Sequence, residues 1–270
     1  MGNNPSLTVV YDRKPAVFSP GDVIKGKVNI TVGEEGLQKI KGIWVQFSGK
    51  ATVKFTSFNG RYDEEHSQEE TYLTGTRVVF GTGNGQVDKP GLSLPAGQHS
   101  FPFSFRLPTN CTLPSSFSGC HGQIQYEARA TLAIIRKIIN KECHGKSVSF
   151  TVRGPKVDLN LLSSVKAPVK CNTEVRNLFG IGLQKGTTVS FHLTKRGYVP
   201  NDKIPVSGRM DNREGDEQRN FEATLVQEVT FIVEEFICNE TKTKKNVLSR
   251  SSASTACPRG KVIDFTMVPL

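Results

Sequence analysis

Hydrophobic and polar residues alternate along most of this chain, in short runs closed by turn residues. The first runs are Leu7–Tyr11, Val23–Val32, Ile40–Phe47 and Ala51–Phe55; Thr76–Phe80, Gly97–Arg106, Gly122–Ile135 and Val148–Val152 follow. A period of two predicts strands with one buried face, and many short strands without a helical period predict an antiparallel sandwich. In the run from Gly122, the residues Ile124, Tyr126, Ala128, Ala130 and Leu132 share one face, opposite Gln123, Gln125, Glu127, Arg129 and Thr131. Asp63–Glu70 is acidic and is predicted to be a solvated loop. The stretch 134–139 resembles one helical turn but follows directly on a strand pattern, which predicts a strand end and hairpin loop. Gly81-Thr-Gly-Asn-Gly85 has the glycines of a phosphate cradle without a following helix or the Lys-Ser/Thr pair, so it is predicted to be a loop.

Residues 154–167 read as a connection. Strands then resume at Gly186–Leu193, Ile204–Met210, Phe221–Phe236 and Lys261–Val268, with Ser251–Thr255 as a small polar loop. One pattern occurs in both halves. Phe18-Ser-Pro-Gly-Asp22 leads into one strand run, and Tyr198-Val-Pro-Asn-Asp202 leads into another. Pro20, Asp22 and Ile24 fall on Pro200, Asp202 and Ile204. The duplication predicts two related domains: residues 1–153, a linker at 154–167, and residues 168–270. The last shows about four or five strands, fewer than a full sandwich, and is expected to be incomplete.

A chain of 270 residues accommodates two domains of roughly 100–150 residues. Mean hydropathy is −0.32, as for a globular chain. No apolar run approaches the roughly 18 residues of a membrane span. Met1–Thr8 has neither a basic flank nor an apolar core, so no secretory signal is predicted and the expected setting is reducing. Cys111, Cys120, Cys143, Cys171, Cys238 and Cys257 are then expected to be thiols, and the sequons at Asn29, Asn110 and Asn239 idle. The net charge of +10 is shared between the halves and suits an acidic partner or the anionic inner leaflet. No concentrated basic stripe with aromatics is present, which argues against nucleic acid.

The chain shows no nucleophile elbow, His-Glu-x-x-His or Walker motif, and its five histidines are scattered. No enzyme activity and no cofactor are expected. Cys120-His121 and Cys143-His144 are adjacent pairs whose side chains diverge on a strand, without zinc-type spacing, so no metal is expected. Met1-Gly2-Asn-Asn-Pro-Ser6 fits the myristoylation pattern, making Gly2 a candidate for acylation. Arg136, Lys137, Lys141 and Lys146 crowd one predicted hairpin. They are candidates for phosphate or headgroup contact, against the plainer reading of a charged edge that blocks strand pairing.

Several ordered segments resemble the alpha-arrestins, the arrestin domain-containing proteins of the arrestin superfamily. Phe18-Ser-Pro-Gly-Asp22 with Ile24 and Gly26 is similar to the opening of an arrestin N domain. Leu94–Pro108, Leu113–Phe117 and Gly122–Ala128 are similar to the strands after it. Lys195–Pro200, Ile204–Val206 and Leu225–Val229 resemble the C domain. The resemblance implies an all-β fold of two tandem antiparallel immunoglobulin-like sandwiches, and a non-enzymatic cytoplasmic adaptor, peripheral at plasma membrane or endosomes. Such adaptors engage membrane receptors or transporters as cargo. They recruit WW-domain ubiquitin ligases through a Pro-Pro-x-Tyr tail, promoting endocytosis and protein transport. This chain carries no Pro-Pro-x-Tyr, so ligase recruitment is expected only of a longer form. The alternative implied by the same fold is a thioredoxin-binding regulator. One relative uses a C-domain Cys shortly before Arg-Gly-Lys; here Cys257 precedes Pro258-Arg-Gly-Lys261, and nearby cations favour a reactive thiolate.

Overall fold

The computed structural model describes residues 5–58, 60–82, 92–109, 112–135, 141–175, 187–212, 217–235, 239–257 and 261–267. Chain contacts divide the protein into two units. The first is Met1–Lys156 together with Phe231–Lys242; the second is Val157–Thr230 together with Thr243–Leu270.

The first unit holds β1 (Ser6–Tyr11), β2 (Val17–Phe18), β3 (Val23–Val32), β4 (Leu37–Phe58), β5 (Asp63–Gly81), β6 (Leu92–Leu94), β7 (Gly97–Arg106), β8 (Phe117–Ser118), β9 (Gly122–Ile134), β10 (Lys141–His144) and β11 (Val148–Val152). One sheet has the order β1-β3-β7. The other runs β2-β11-β9-β4-β5, with β8 and β10 on β9 and β6 on β4. The alternation read in β9 is the packing: Tyr126, Ala128, Ala130 and Leu132 are buried in the core, while Gln123, Gln125 and Arg129 are exposed. Phe47 of β4 stacks on Phe105 of β7 at 4.1 Å between ring centres and meets Phe103 edge-on at 5.7 Å, joining the two sheets. Tyr11 lies edge-on to Phe18 and Phe150, and its hydroxyl donates to the Val148 carbonyl at 2.6 Å.

Two expectations change here. Asp63–Glu70 is strand, paired residue by residue with β4. Its acids face solvent and meet lysines across the ladder, Lys50–Glu69 at 2.6 Å and Lys54–Glu65 at 2.8 Å. Cross-strand pairing thus offsets the poor strand preference of these residues. Ile40–Phe47 and Ala51–Phe55 are one strand, β4, with a bulge at Gly49/Lys50. A Cβ at Gly49 would collide with the buried Tyr126 ring, which is why the apolar pattern breaks there without ending the strand. β9 and β10 form the expected hairpin register, Ile134↔Lys141; residues 136–140 lie outside the described residues.

After a single 3₁₀ turn (Leu159–Leu161) and the short helix α1 (Ser163–Lys166), the chain continues as β12 (Val169–Val175), β13 (Thr187–Leu193), β14 (Val206–Asp211), β15 (Glu217–Glu234), β16 (Asn239–Cys257) and β17 (Val262–Met267). The order is β12-β13-β14-β17 in one sheet, while β15 and β16 pair with each other. β12 was not visible in the pattern, and Ser251–Thr255, expected as a loop, lies inside β16. Small hydroxyl residues carry no burial signal, so their strand state comes from their neighbour across the ladder.

The duplicated motif is the same structure twice. Pro20-Gly21 and Pro200-Asn201 form the centre of a turn closed by Asp22 N–H to Ser19 O and by Asp202 N–H to Val199 O, each at 3.0 Å. Gly21 and Asn201 have φ of 88° and 74°, the left-handed value a type II turn needs at that place. Each aspartate also accepts from the backbone N–H three residues earlier, at 2.9 and 3.2 Å. Each is paired with a cation that lies over the preceding aromatic ring: Arg13 over Phe18 and Lys195 over Tyr198. Lys195 and the Val199 N–H hold the Asp202 carboxyl below its ordinary range.

Each turn then delivers the middle strand of a ladder. β3 aligns Gly26 between Tyr11 and Phe103; β14 aligns Gly208 between Phe191 and Phe265. In each copy a Cβ on the glycine would strike the Phe ring of the next strand. Ile24 and Ile204 match in sequence but not in the ladder, because three residues separate the second turn from its strand, whereas β3 begins directly after Asp22. Gly26→Ala and Gly208→Ala are expected to lose about 1–3 kcal/mol each, the usual cost of overpacking. Denaturant midpoints of the two variants against the parent chain check this.

Candidate functional site

The β4–β5 hairpin runs past its last pairing with β9, Val53↔Gly122, to a tip at Phe58 and Asp63. Phe231, Glu234, Glu235 and Lys242, all in the first unit, lie against this extension. Phe231 is buried and packs edge-on to His121 at 5.4 Å between ring centres. Glu234 N–H donates to Gln68 Oε1 at 2.7 Å, and Lys242 Nζ donates to the Thr56 carbonyl at 2.8 Å. His66 sits between them, 4% exposed. Its Nδ1 lies 2.7 Å from Glu235 Oε1 and its Nε2 lies 2.7 Å from Ser57 Oγ. Both ring nitrogens are therefore engaged, which holds Glu235 on β5.

Beside this contact is an open hollow of about 570 Å³, whose lining includes Lys54, Phe55, Cys120, His121, Gln123 and Lys242. It is a surface depression that suits contact with a chain or charged group better than enclosure of a small molecule. Cys120 and His121 occupy the bend between β8 and β9. Among the described residues, no three of His, Cys, Asp or Glu are grouped to hold a metal ion. Cys120, Cys143, Cys171 and Cys257 are free thiols.

The sequence-derived candidates do not converge here. Gly2, Arg136 and Lys137 lie outside the described residues, as does the side chain of Lys141, whose backbone pairs with Ile134. Lys146 is exposed just after β10. Cys257 is in the core of the second unit, 1% exposed, beside Val189 and Met210. Its thiol donates to the Lys261 carbonyl at 3.3 Å, and its own carbonyl accepts from the buried Asn212 amide at 2.7 Å. Those bonds and that burial describe a thiol in a packing role. The His66–Glu235 pair was missed by sequence reasoning; its partners are 169 residues apart, and no local pattern joins them.

The family model for "Arrestin (or S-antigen), N-terminal domain" matches residues 7–160, and that for the corresponding C-terminal domain matches residues 184–268. The chain belongs to the arrestin family, and its relatives are the arrestin domain-containing proteins, or alpha-arrestins. It is 27% identical to human arrestin domain-containing protein 1 over 237 residues, covering 88% of this chain and 50% of that protein. It is 28% identical to Caenorhabditis elegans arrestin domain-containing protein 17, covering 86% of this chain and 53% of that protein. The chain thus spans about half the length of the curated relatives it matches. Among solved structures, the sporulation control protein Spo0M of Bacillus subtilis aligns with 76% of this chain and 79% of its own at 16% identity and a TM-score of 0.37, too slight a likeness to bear on the fold. The expected family and the all-β tandem fold are both borne out.

The hydrogen bond from Glu235 raises the His66 pKa above its ordinary 6.5; burial opposes this, and the charges of Glu235, Glu240 and Glu64 add to it. A histidine raised in the folded state adds stability that is fully present below the unfolded value and is lost as pH rises through the folded one. The contact between β5 and Glu235 is therefore expected to hold best in mild acid. NMR titration of the His66 ring should give a midpoint above 6.5, and Glu235→Gln should lower it. A midpoint unmoved by the substitution would contradict the assigned cause.

Proposed function

We propose that this chain is a non-catalytic adaptor of membrane-protein trafficking. The observation that supports the reading most directly is the ordered match to both arrestin domains across residues 7–268. The described surface agrees with it in offering sheet faces and an open hollow. In this reading the partners are cytoplasmic parts of receptors or transporters. In this reading the chain links that cargo to ubiquitination, endocytosis and transport, with a WW-domain ubiquitin ligase as direct partner only where a longer form carries Pro-Pro-x-Tyr. Location is cytoplasmic, peripheral at plasma membrane or endosomes. Lys141 and Lys146, with Arg136 and Lys137, remain proposed contacts for acidic or phosphorylated cargo, and Gly2 a proposed acylation site. The thioredoxin-binding alternative is weakened by Cys257, because its buried, hydrogen-bonded thiol would have to be exposed before it could exchange disulfides.

The test compares residues 1–270 with the same chain extended by a Pro-Pro-x-Tyr segment. Both should co-precipitate the same membrane protein, and only the extended chain should raise its ubiquitination and shorten its time at the cell surface. Identical surface lifetimes for every cargo tested, with either chain or none, would overturn the reading.

A further inference from the structure

Charge is unevenly distributed over the first unit. The strands β1, β3 and β7 contain no Asp or Glu at all, whereas β5 carries Asp63, Glu64, Glu65, Glu69 and Glu70. In the β1-β3-β7 sheet the inward positions Leu7, Val9, Ile24, Val28, Ile30, Phe103 and Phe105 are buried in the core. The positions between them therefore point outward. They include Ser6, Thr8, Lys25, Lys27, Ser100, Pro102, Ser104 and Arg106, all exposed.

The cations on that face lie close together. Lys25 and Lys27 are two places apart on β3, about 7 Å along the strand. Lys25 is aligned with Ser104. Arg77 of β5 donates to the Ser104 carbonyl at 3.3 Å with its guanidinium over the buried Phe105 ring at 5.4 Å, so it closes the edge of β7 and is not part of the outward face. Arg106 donates to the Gly21 carbonyl at 3.0 Å at the end of β7. Among the described residues none of Lys25, Lys27 and Arg106 is in an ion pair. The acids at the border are Asp12 and Asp22, which share a depression with Arg13 and Lys25, and Glu34 and Glu35, exposed just past the end of β3; Asp22 is paired with Arg13.

We propose that the outer face of the β1-β3-β7 sheet, through Lys25, Lys27 and Arg106, docks on an anionic lipid surface. This deepens the adaptor reading by naming a membrane contact, but vesicle binding is measured without cargo and so stands or falls separately. Three features favour a bilayer over other anions. Lys27 stands between Val10 and Pro102 across the ladder, apolar neighbours that suit the boundary between headgroups and acyl chains. β3 is hydrogen-bonded to both neighbours, so its backbone offers no open edge to an acidic peptide. The outward positions carry no aromatic ring on which a nucleic-acid base could stack. The acids of β5 would be repelled by the same surface, giving the docked unit a preferred orientation. Gly2, the candidate for acylation, lies outside the described residues. One acyl chain with a basic face makes the two signals that stable anchoring needs.

The experiment is vesicle co-sedimentation with the 270-residue chain purified from bacteria, which leaves Gly2 unacylated. Vesicles of phosphatidylcholine with phosphatidylserine should pull down the chain, and phosphatidylcholine alone should not. Each cation near an anionic surface is worth about five-fold in partitioning. Lys25→Gln with Lys27→Gln should therefore weaken binding roughly 20-fold, and about 1 M salt should abolish it. Both lysines are exposed, so a melting curve like the parent's shows that the fold is intact. Equal binding to the two vesicle types would overturn the proposal. So would loss of binding in Lys141→Gln with Lys146→Gln but not in the β3 variant. Retention by immobilised polyglutamate that depends on Lys25 and Lys27, without vesicle binding, would assign the face to an acidic protein and equally overturn it.

Discussion

The close approach of an aromatic ring to a glycine in the middle strand of each ladder is the constraint from which the remaining packing follows. Phe103 lies over Gly26 because nothing projects from that Cα, and Phe103 then meets Phe47, which stacks on Phe105. Those rings join the two sheets of the first unit. In the second unit Phe265 lies over Gly208 and stacks on Phe221 at 4.3 Å. The middle strand must arrive in the right register for this to happen. The Pro-Gly-Asp and Pro-Asn-Asp turns set that register, each locked by a carboxylate that caps its own turn and holds a cation over an aromatic ring.

This explains how much could be read from sequence. Burial on one face leaves an alternating pattern, so β1, β3, β7 and the core face of β9 were legible. The duplicated turn was legible because its geometry fixes Pro at the first central place and a residue tolerant of positive φ at the second, and a specific bond fixes Asp. The rest depended on partners distant along the chain. Asp63–Glu70 looks like a loop until Lys50 and Lys54 stand opposite it. The serines of β16 acquire strand geometry only by pairing with β15. The two isoleucines aligned by the repeat, Ile24 and Ile204, show the limit of local pattern: the turns are equivalent, but the distances from turn to strand are not.

The candidate site was less legible than the fold. Cys257 stands out for its neighbours in sequence, yet as the last residue of β16 it lies in a core with Val189 and Met210. The basic hairpin was chosen for local charge density. The basic sheet face is built from lysines on β3 and an arginine on β7, none of which stands out locally. Which side chains share a face depends on which strands are neighbours, and no local motif shows that order.

Native-state hydrogen exchange tests the organising role of the two middle strands most directly. The account predicts that amides of β3 (Val23–Val32) and of β14 (Val206–Asp211) are the slowest to exchange within their own units, because both are bonded on either side and covered by rings. If these amides exchanged as fast as those of the edge strands β1 and β12, the strands placed by the duplicated turn would not be the centres of the two units, and the account would be wrong.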